Sequence, residues 1–76
     1  MLSMPQLTEI VASSGFVDNM SKFDSAQTFK DNDIDSLDVM TLLLQVEEAA
    51  KVKFSDEDFD RIRSLDDVKA VLDSKK

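Results

Sequence analysis

The sequence predicts an all-α fold, a four-helix bundle with a long loop between the first two helices and a short third helix. The 76 residues include one Gly and one Pro, so few hairpin turns are available. No segment alternates apolar and polar residues over a long run, as a half-buried strand would. Apolar residues instead recur at helical spacing. We expect a single domain over residues 1–76.

The first helix is predicted over residues 4–14. Ser3 can cap it, and Pro5 lies in the first turn, where a missing N–H costs little. Gly15 follows as the expected stop. The predicted buried face consists of Met4, Leu7, Ile10 and Val11.

Residues 16–35 show no clear period and form a long loop for so small a domain. Six apolar side chains predict that this loop is anchored across the helical core. They are Phe16, Val17, Met20, Phe23, Phe29 and Ile34.

The second helix is predicted over residues 36–50, and its apolar residues cover more than half of its circumference. This is wider than one buried stripe, so we expect a core set and a partly exposed outer line that could dock a partner. The core set is Leu42, Leu43 and Val46, and the outer line is Leu37, Met40 and Leu44. Periodicity alone leaves open the alternative that all six are buried.

Two shorter helices follow. The third is predicted over residues 56–61, with Ser55 as its cap and Phe59 packed inward. The fourth runs from Ser64-Leu65-Asp66-Asp67, which resembles a capping box with Asp in place of Glu, to about residue 74. Its predicted core face is Leu65, Val68, Val71 and Leu72, and the cations suited to its negative end are Lys75 and Lys76.

The composition excludes several kinds of active site. The chain has no Cys and no His, which removes disulfides, Cys- or His-ligated zinc, and Ser-His or Cys-His nucleophile pairs. Its charge of −7 repels nucleic acids and anionic membranes and favours basic partner surfaces. No segment reads as a signal peptide or a membrane span. We therefore expect a cytoplasmic monomer that binds no nucleic acid.

A calcium site is suggested by Asp31-Asn32-Asp33-Ile34-Asp35, whose acids match the first ligands of an EF-hand loop. The match fails at Ser36, where that loop needs Gly, and at Leu42, where it needs Glu. Acid pairs elsewhere lie in polar contexts that would not raise a carboxylate pKa. We predict no high-affinity metal site and no enzymatic activity.

The second helix and the residues just before it carry acidic side chains and no basic ones. Residues 31–50 contain six acids and no base. Asp38 suits the start of the helix, whereas Glu47 and Glu48 near its end each cost a few tenths to ~1 kcal/mol. The run favours a binding surface for a basic partner over an ordinary polar face.

Ser36 lies in the run Asp35-Ser36-Leu37-Asp38 at the start of this helix. A serine there can be a helix cap. With no His or Cys, the chain offers no residue that could activate Ser36 as a nucleophile. This combination suggests a serine that another protein modifies.

The segment from Phe29 to Asp38 resembles the attachment motif of acyl carrier proteins, and helix order, acidity and length extend the resemblance over nearly the whole chain. In that family an Asp-Ser-Leu run opens the second of four helices. A separate phosphopantetheinyl transferase, using coenzyme A and magnesium, esterifies the serine with 4′-phosphopantetheine. The resemblance implies that Ser36 bears this group, whose thiol carries acyl intermediates as thioesters between partner enzymes. It thus implies a carrier in fatty acid, polyketide or specialised acyl metabolism.

The resemblance also implies partner contacts on the second helix, with acyl-transferring and acyl-modifying enzymes that have basic docking surfaces. The implied acidic contacts are Asp35, Asp38, Glu47 and Glu48, and the apolar ones are Leu37, Met40 and Leu44. The implied interior, where family members can shelter an acyl chain, is Leu42, Leu43, Val46, Phe54, Phe59, Ile62, Val68, Val71 and Leu72.

Three places depart from the family pattern. Asp33 stands where Gly is usual, and Asp tolerates left-handed backbone better than most residues. Thr41 replaces a common Glu, and Ala49 and Ala50 are small where a Phe is frequent. Two alternatives stay open: an aminoacyl or peptidyl carrier of the same fold, and an unmodified helical interaction module in which Ser36 is only a cap.

Overall fold

A computed structural model describes residues 2–75, and it confirms the all-α fold. The helices are α1 (Met4–Ser14), α2 (Ser36–Ala50), α3 (Asp56–Arg61) and α4 (Leu65–Ser74). All four occupy the predicted ranges. α1 packs against both α2 and α4. Lys76, one of the two cations expected at the end of α4, lies outside the described residues.

Three of the helices begin at a serine N-cap. Ser3, Ser55 and Ser64 stand before α1, α3 and α4, and each forms a capping box with the third helical residue. At α4, Ser64 Oγ accepts the Asp67 N–H at 3.2 Å, and Asp67 Oδ2 accepts the Ser64 N–H at 3.2 Å. The predicted capping box with Asp in place of Glu is therefore confirmed.

Two helices end in left-handed backbone. Gly15 ends α1 with φ 79°, as predicted. Lys51 ends α2 with φ 58°, and its N–H donates to the Glu47 carbonyl oxygen. The sequence predicted where α2 ends but not the left-handed residue that ends it, because a side chain with a Cβ is disfavoured in that conformation.

The core lies where the four helices meet, and the predicted core sets of α2 and α4 are confirmed. Leu7 and Val11 of α1 are buried with them, while Met4 and Ile10 are partly buried against the core. The buried apolar residues are Leu7, Val11, Phe29, Ile34, Leu42, Leu43, Val46, Phe54, Ile62, Leu65, Val68, Val71 and Leu72. No helix within residues 2–75 combines the length and the apolar character needed to cross a membrane.

The loop between α1 and α2 is anchored as predicted. Phe29 and Ile34 are buried, and the other four predicted anchors are partly buried against the core. The loop also contains a short 3-10 helix, Met20–Lys22, which the sequence did not predict.

One side chain, that of Asn32, ties this loop to itself. Its Oδ1 accepts the Asp24 N–H at 3.0 Å. Its Nδ2 donates to the carbonyl oxygens of Asp24 at 2.9 Å and Thr28 at 3.0 Å. The segment that leads into α2 therefore has a fixed course.

The same loop is joined to the junction between α3 and α4. The Phe29 N–H donates to the Arg63 carbonyl oxygen at 2.8 Å, and the Asp66 N–H donates to that of Ser25 at 3.1 Å. Thr28 and Ser64 form an isolated antiparallel bridge. The approach to α2 is thus held by a distant part of the chain.

An ion pair connects α3 to the end of α4. Asp58 Oδ2 lies 2.7 Å from Lys75 Nζ and also accepts the Ser55 N–H at 2.9 Å. The hydrogen bond from Lys75, followed by that from Ser55, lowers the pKa of the Asp58 carboxyl below its usual value. The cation that the sequence assigned to the negative end of α4 therefore also pairs with an acid of α3.

Candidate functional site

Ser36 is the first residue of α2, and its side chain is exposed. The N-cap is Asp35, whose Oδ1 accepts the Asp38 N–H at 3.0 Å. Ser36 is therefore not the helix cap, so the capping role expected under the unmodified-module alternative is wrong. Within residues 2–75 no hydrogen bond to the Ser36 hydroxyl is found. Its oxygen is free to form a covalent bond without cost to the helix start.

The outer line of α2 faces solvent. The exposed fractions are 76% for Leu37, 44% for Met40 and 57% for Leu44. Leu43, next to Leu44 in the chain, is only 2% exposed. The alternative that all six apolar residues of α2 are buried is wrong, and an apolar strip lies open beside Ser36.

The acids predicted to meet a partner differ in their surroundings. Asp35 and Glu48 are exposed, and Asp38 is half-buried. Glu47 is half-buried, and its Oε2 accepts the Phe54 N–H at 2.7 Å. The sequence treated Glu47 as unfavourable at the helix end, but the structure uses its carboxylate to hold the segment after α2.

A cavity of about 630 Å³ opens beside Ser36, between α2 and α3. Its lining is mostly apolar and includes Ile34, Val39, Met40, Leu43, Phe59 and Ile62. Phe59 packs edge-to-face against Phe54, with ring centroids 5.9 Å apart. Of the predicted interior residues, only Leu43, Phe59 and Ile62 line this cavity, and the others pack in the core away from it.

The turn before Ser36 adopts the conformation that Asp33 was predicted to tolerate. Asp33 has φ 63°, in the left-handed region. Its N–H donates to the Lys30 carbonyl oxygen at 3.0 Å, and the Ile34 N–H donates to that of Phe29 at 2.9 Å. An Asp can therefore form the turn in which acyl carrier proteins usually place Gly.

The neighbouring acids do not gather into a metal site. Within residues 2–75 no group of three or more Asp, Glu, His or Cys side chains is placed to hold a metal ion. The side chain of Asn32, in the middle of the candidate calcium segment, is bonded to loop backbone instead.

Comparison with protein-family models gives a match over most of the chain. A family model described as a phosphopantetheine attachment site matches residues 6–72. This range begins in α1, includes all of α2 and α3, and ends in α4. No curated protein and no solved structure matches significantly.

Proposed function

The chain belongs to the phosphopantetheine attachment site family, and we propose that it is an acyl carrier protein in which Ser36 bears the 4′-phosphopantetheine. Domains of this family carry the group covalently on a serine and are not themselves enzymes. The observation that supports Ser36 as the serine is its exposed hydroxyl at the start of α2, which makes no hydrogen bond within the described residues.

The surroundings of Ser36 fit such an attachment. Because Asp35 caps α2, an ester on Ser36 leaves the helix start intact. The ordered loop before it holds the serine in one place, which a transferase needs in order to align the hydroxyl. When attached, the group supplies a thiol that carries cargo as a thioester, so the chain itself needs neither Cys nor His.

The cavity beside Ser36 supports an acyl cargo over an aminoacyl or peptidyl one. Its mostly apolar lining offers hydrocarbon surface and few polar partners. A fatty acyl or polyketide chain would bury apolar area there, at about 0.8 kcal/mol per CH₂. We propose that the cargo comes from fatty acid, polyketide or specialised acyl metabolism.

The outer line and its flanking acids form the proposed partner surface. The apolar contacts are Leu37, Met40 and Leu44, and the acids are Asp35, Asp38, Glu47 and Glu48. Exposed apolar area flanked by acids suits an enzyme surface with apolar residues among Arg and Lys. The transferase and the acyl-handling enzymes would use this surface in turn.

The test of attachment is the intact mass of the protein. The chain is incubated with coenzyme A, Mg²⁺ and a broad-specificity phosphopantetheinyl transferase. One phosphopantetheinyl mass should be gained, Ser36→Ala should abolish the gain, and Ser13→Ala, at an exposed serine of α1, should not. If several transferases leave the wild-type mass unchanged, the carrier function is refuted.

The test of the partner surface is one charge reversal. Glu48→Lys should lower kcat/KM of the transferase at low ionic strength, because it places a cation against a basic partner. Glu48 is preferred to Glu47, whose carboxylate also bonds the Phe54 N–H. Glu9→Lys on α1 makes the same change of net charge elsewhere. Equal losses of kcat/KM in Glu48→Lys and Glu9→Lys would mean that α2 is not part of the partner surface.

A further inference from the structure

Two cationic residues line the otherwise largely apolar cavity beside Ser36. Lys30 belongs to the turn before α2, and Arg63 lies between α3 and α4. Both residues are exposed. The hydrogen bond from the Phe29 N–H to the Arg63 carbonyl oxygen, 2.8 Å long, holds their backbones side by side. Residues distant in sequence are thus brought to one cavity.

Neither cation has an acidic partner among residues 2–75. The ion pairs found there are Lys69–Asp73 and Lys75–Asp58. Asp67 lies near Arg63, but its Oδ2 accepts the Arg63 backbone N–H at 3.0 Å. Asp35 also lines the cavity, and its Oδ1 accepts the Asp38 N–H.

Other exposed cations, such as Lys22 and Lys53, also have no ion pair among residues 2–75. What sets Lys30 and Arg63 apart is their place at the cavity that Ser36 also lines. An anion brought to this cavity would meet both of them.

We propose that Lys30 and Arg63 bind the phosphodiester that attachment places on Ser36, and that they thereby turn the arm toward the cavity. The inference rests on the proposed function, because this phosphodiester exists only when Ser36 is modified. A phosphodiester keeps its negative charge at all physiological pH values. Guanidinium and ammonium groups are the side chains that bind phosphate oxygens best.

The strength of such contacts suits a carrier. Exposed ion pairs are weak and screened by salt, so the arm exchanges between the cavity and solvent. A basic partner surface docked on α2 offers the phosphodiester other cations. Lys30 and Arg63 are positioning residues that favour the stored arm until a partner arrives.

The experiment follows an arm that carries a neutral, environment-sensitive fluorophore, attached by the transferase. Its emission reports the ratio of cavity-bound to solvent-exposed arm. Lys30→Gln with Arg63→Gln should lower this ratio about twofold to tenfold, and added NaCl should lower it in the wild type but not in this variant. Lys22→Gln with Lys53→Gln removes the same charge from exposed residues outside the cavity and should match the wild type. Lys30→Arg with Arg63→Lys, which keeps both charges, should also match it.

The outcomes separate the two proposals. Intact mass is measured first, and absence of the arm from every protein refutes the carrier function. If the arm is present and the Gln variant keeps the wild-type ratio, only the role of Lys30 and Arg63 is refuted. The role of Lys30 and Arg63 in binding the phosphodiester is also refuted if the Gln variant differs from the wild type only when a carboxylate-bearing acyl group replaces the neutral fluorophore. In that case the two cations recognise the cargo. Circular dichroism checks that each variant is folded.

Discussion

The starts of α2 and α4 use a serine in opposite ways. Ser64 stands one position before α4, and its hydroxyl accepts the Asp67 N–H at 3.2 Å. Ser36 is the first residue inside α2, where Asp35 is the cap, and within residues 2–75 its hydroxyl has no hydrogen bond. A shift of one position separates a serine that stabilises a helix from one that is available to another protein.

The apolar residues of the two helices divide in the same way. Those of α4 that pattern alone assigned to the core are all buried. In α2 the core set is buried, and Leu37, Met40 and Leu44 are the large apolar residues left exposed among residues 2–75. The capping hydroxyl and the core side chains of α4 all have partners inside the molecule. On α2, the Ser36 hydroxyl and the outer line are exposed to solvent.

The largest expected effect comes from one substitution made on each helix. Leu72, which is 0% exposed on α4, should lose about 2–5 kcal/mol of unfolding free energy on Leu72→Ala, because a cavity forms. Leu44→Ala on α2 should cost less than about 0.5 kcal/mol. Urea unfolding followed by circular dichroism measures both. A comparable loss at Leu44 would mean that the outer line stabilises the monomer.

The second-largest expected effect is a difference in unfolding free energy between alanine variants of the two serines. Ser64→Ala should lower the unfolding free energy by about 1 kcal/mol, since it removes a cap. Ser36→Ala should change it by no more than a few tenths, since no hydrogen bond is lost. Asp35→Ala, which removes the actual cap of α2, should match Ser64→Ala. The contrast fails if Ser36→Ala is as costly as Ser64→Ala.

A pH titration examines the tie between α3 and α4. The folded state holds the pKa of Asp58 below its ordinary value of 3.8, so the pair contributes stability above that value and loses it as pH falls. The gap in urea midpoint between wild type and Lys75→Met should therefore be full at neutral pH and should narrow as pH falls below about 4. We expect this gap to be smaller than the one between wild type and the cap variants Ser64→Ala and Asp35→Ala. A gap that is constant with pH would exclude Asp58 as its source.

The smallest effect concerns the end of α2. Lys51→Gly should raise the unfolding free energy by a few tenths of a kcal/mol, because glycine relieves the left-handed strain but adds freedom to the unfolded chain. Lys51→Ala removes the same charge and keeps the strain, so it should be the less stable of the two. Thermal melts compare the three proteins. If Lys51→Ala and Lys51→Gly melt at the same temperature, backbone strain at this position is negligible.

The features that the sequence predicted depend on residues that are close together in the chain. The helix bounds follow from caps, stops and spacing within a few residues, as at Ser3, Gly15 and Ser64. The left-handed turn at Asp33 followed from comparing one position with a family motif. The width of the apolar surface on α2 suggested the exposed outer line but left open that all six residues were buried, and the structure decided between the two.

The features that the sequence missed depend on how separate segments meet. Glu47 bonds the Phe54 N–H only because Lys51 turns the chain back after α2. Lys75 reaches Asp58 only when α4 has packed beside α3. The cap at Asp35 was missed for another reason, since Asp and Ser are equally good caps and stand side by side.

The hydrogen bond from the Phe29 N–H to the Arg63 carbonyl oxygen has a consequence for the order of folding. It joins residues far apart in sequence, and such contacts form late because a long loop must close first. During synthesis, Ser36 leaves the ribosome before Arg63, so the loop in front of Ser36 at first lacks this tie. We therefore expect the loop before Ser36 to be less firmly held in nascent chains that end before Arg63 than in the folded domain.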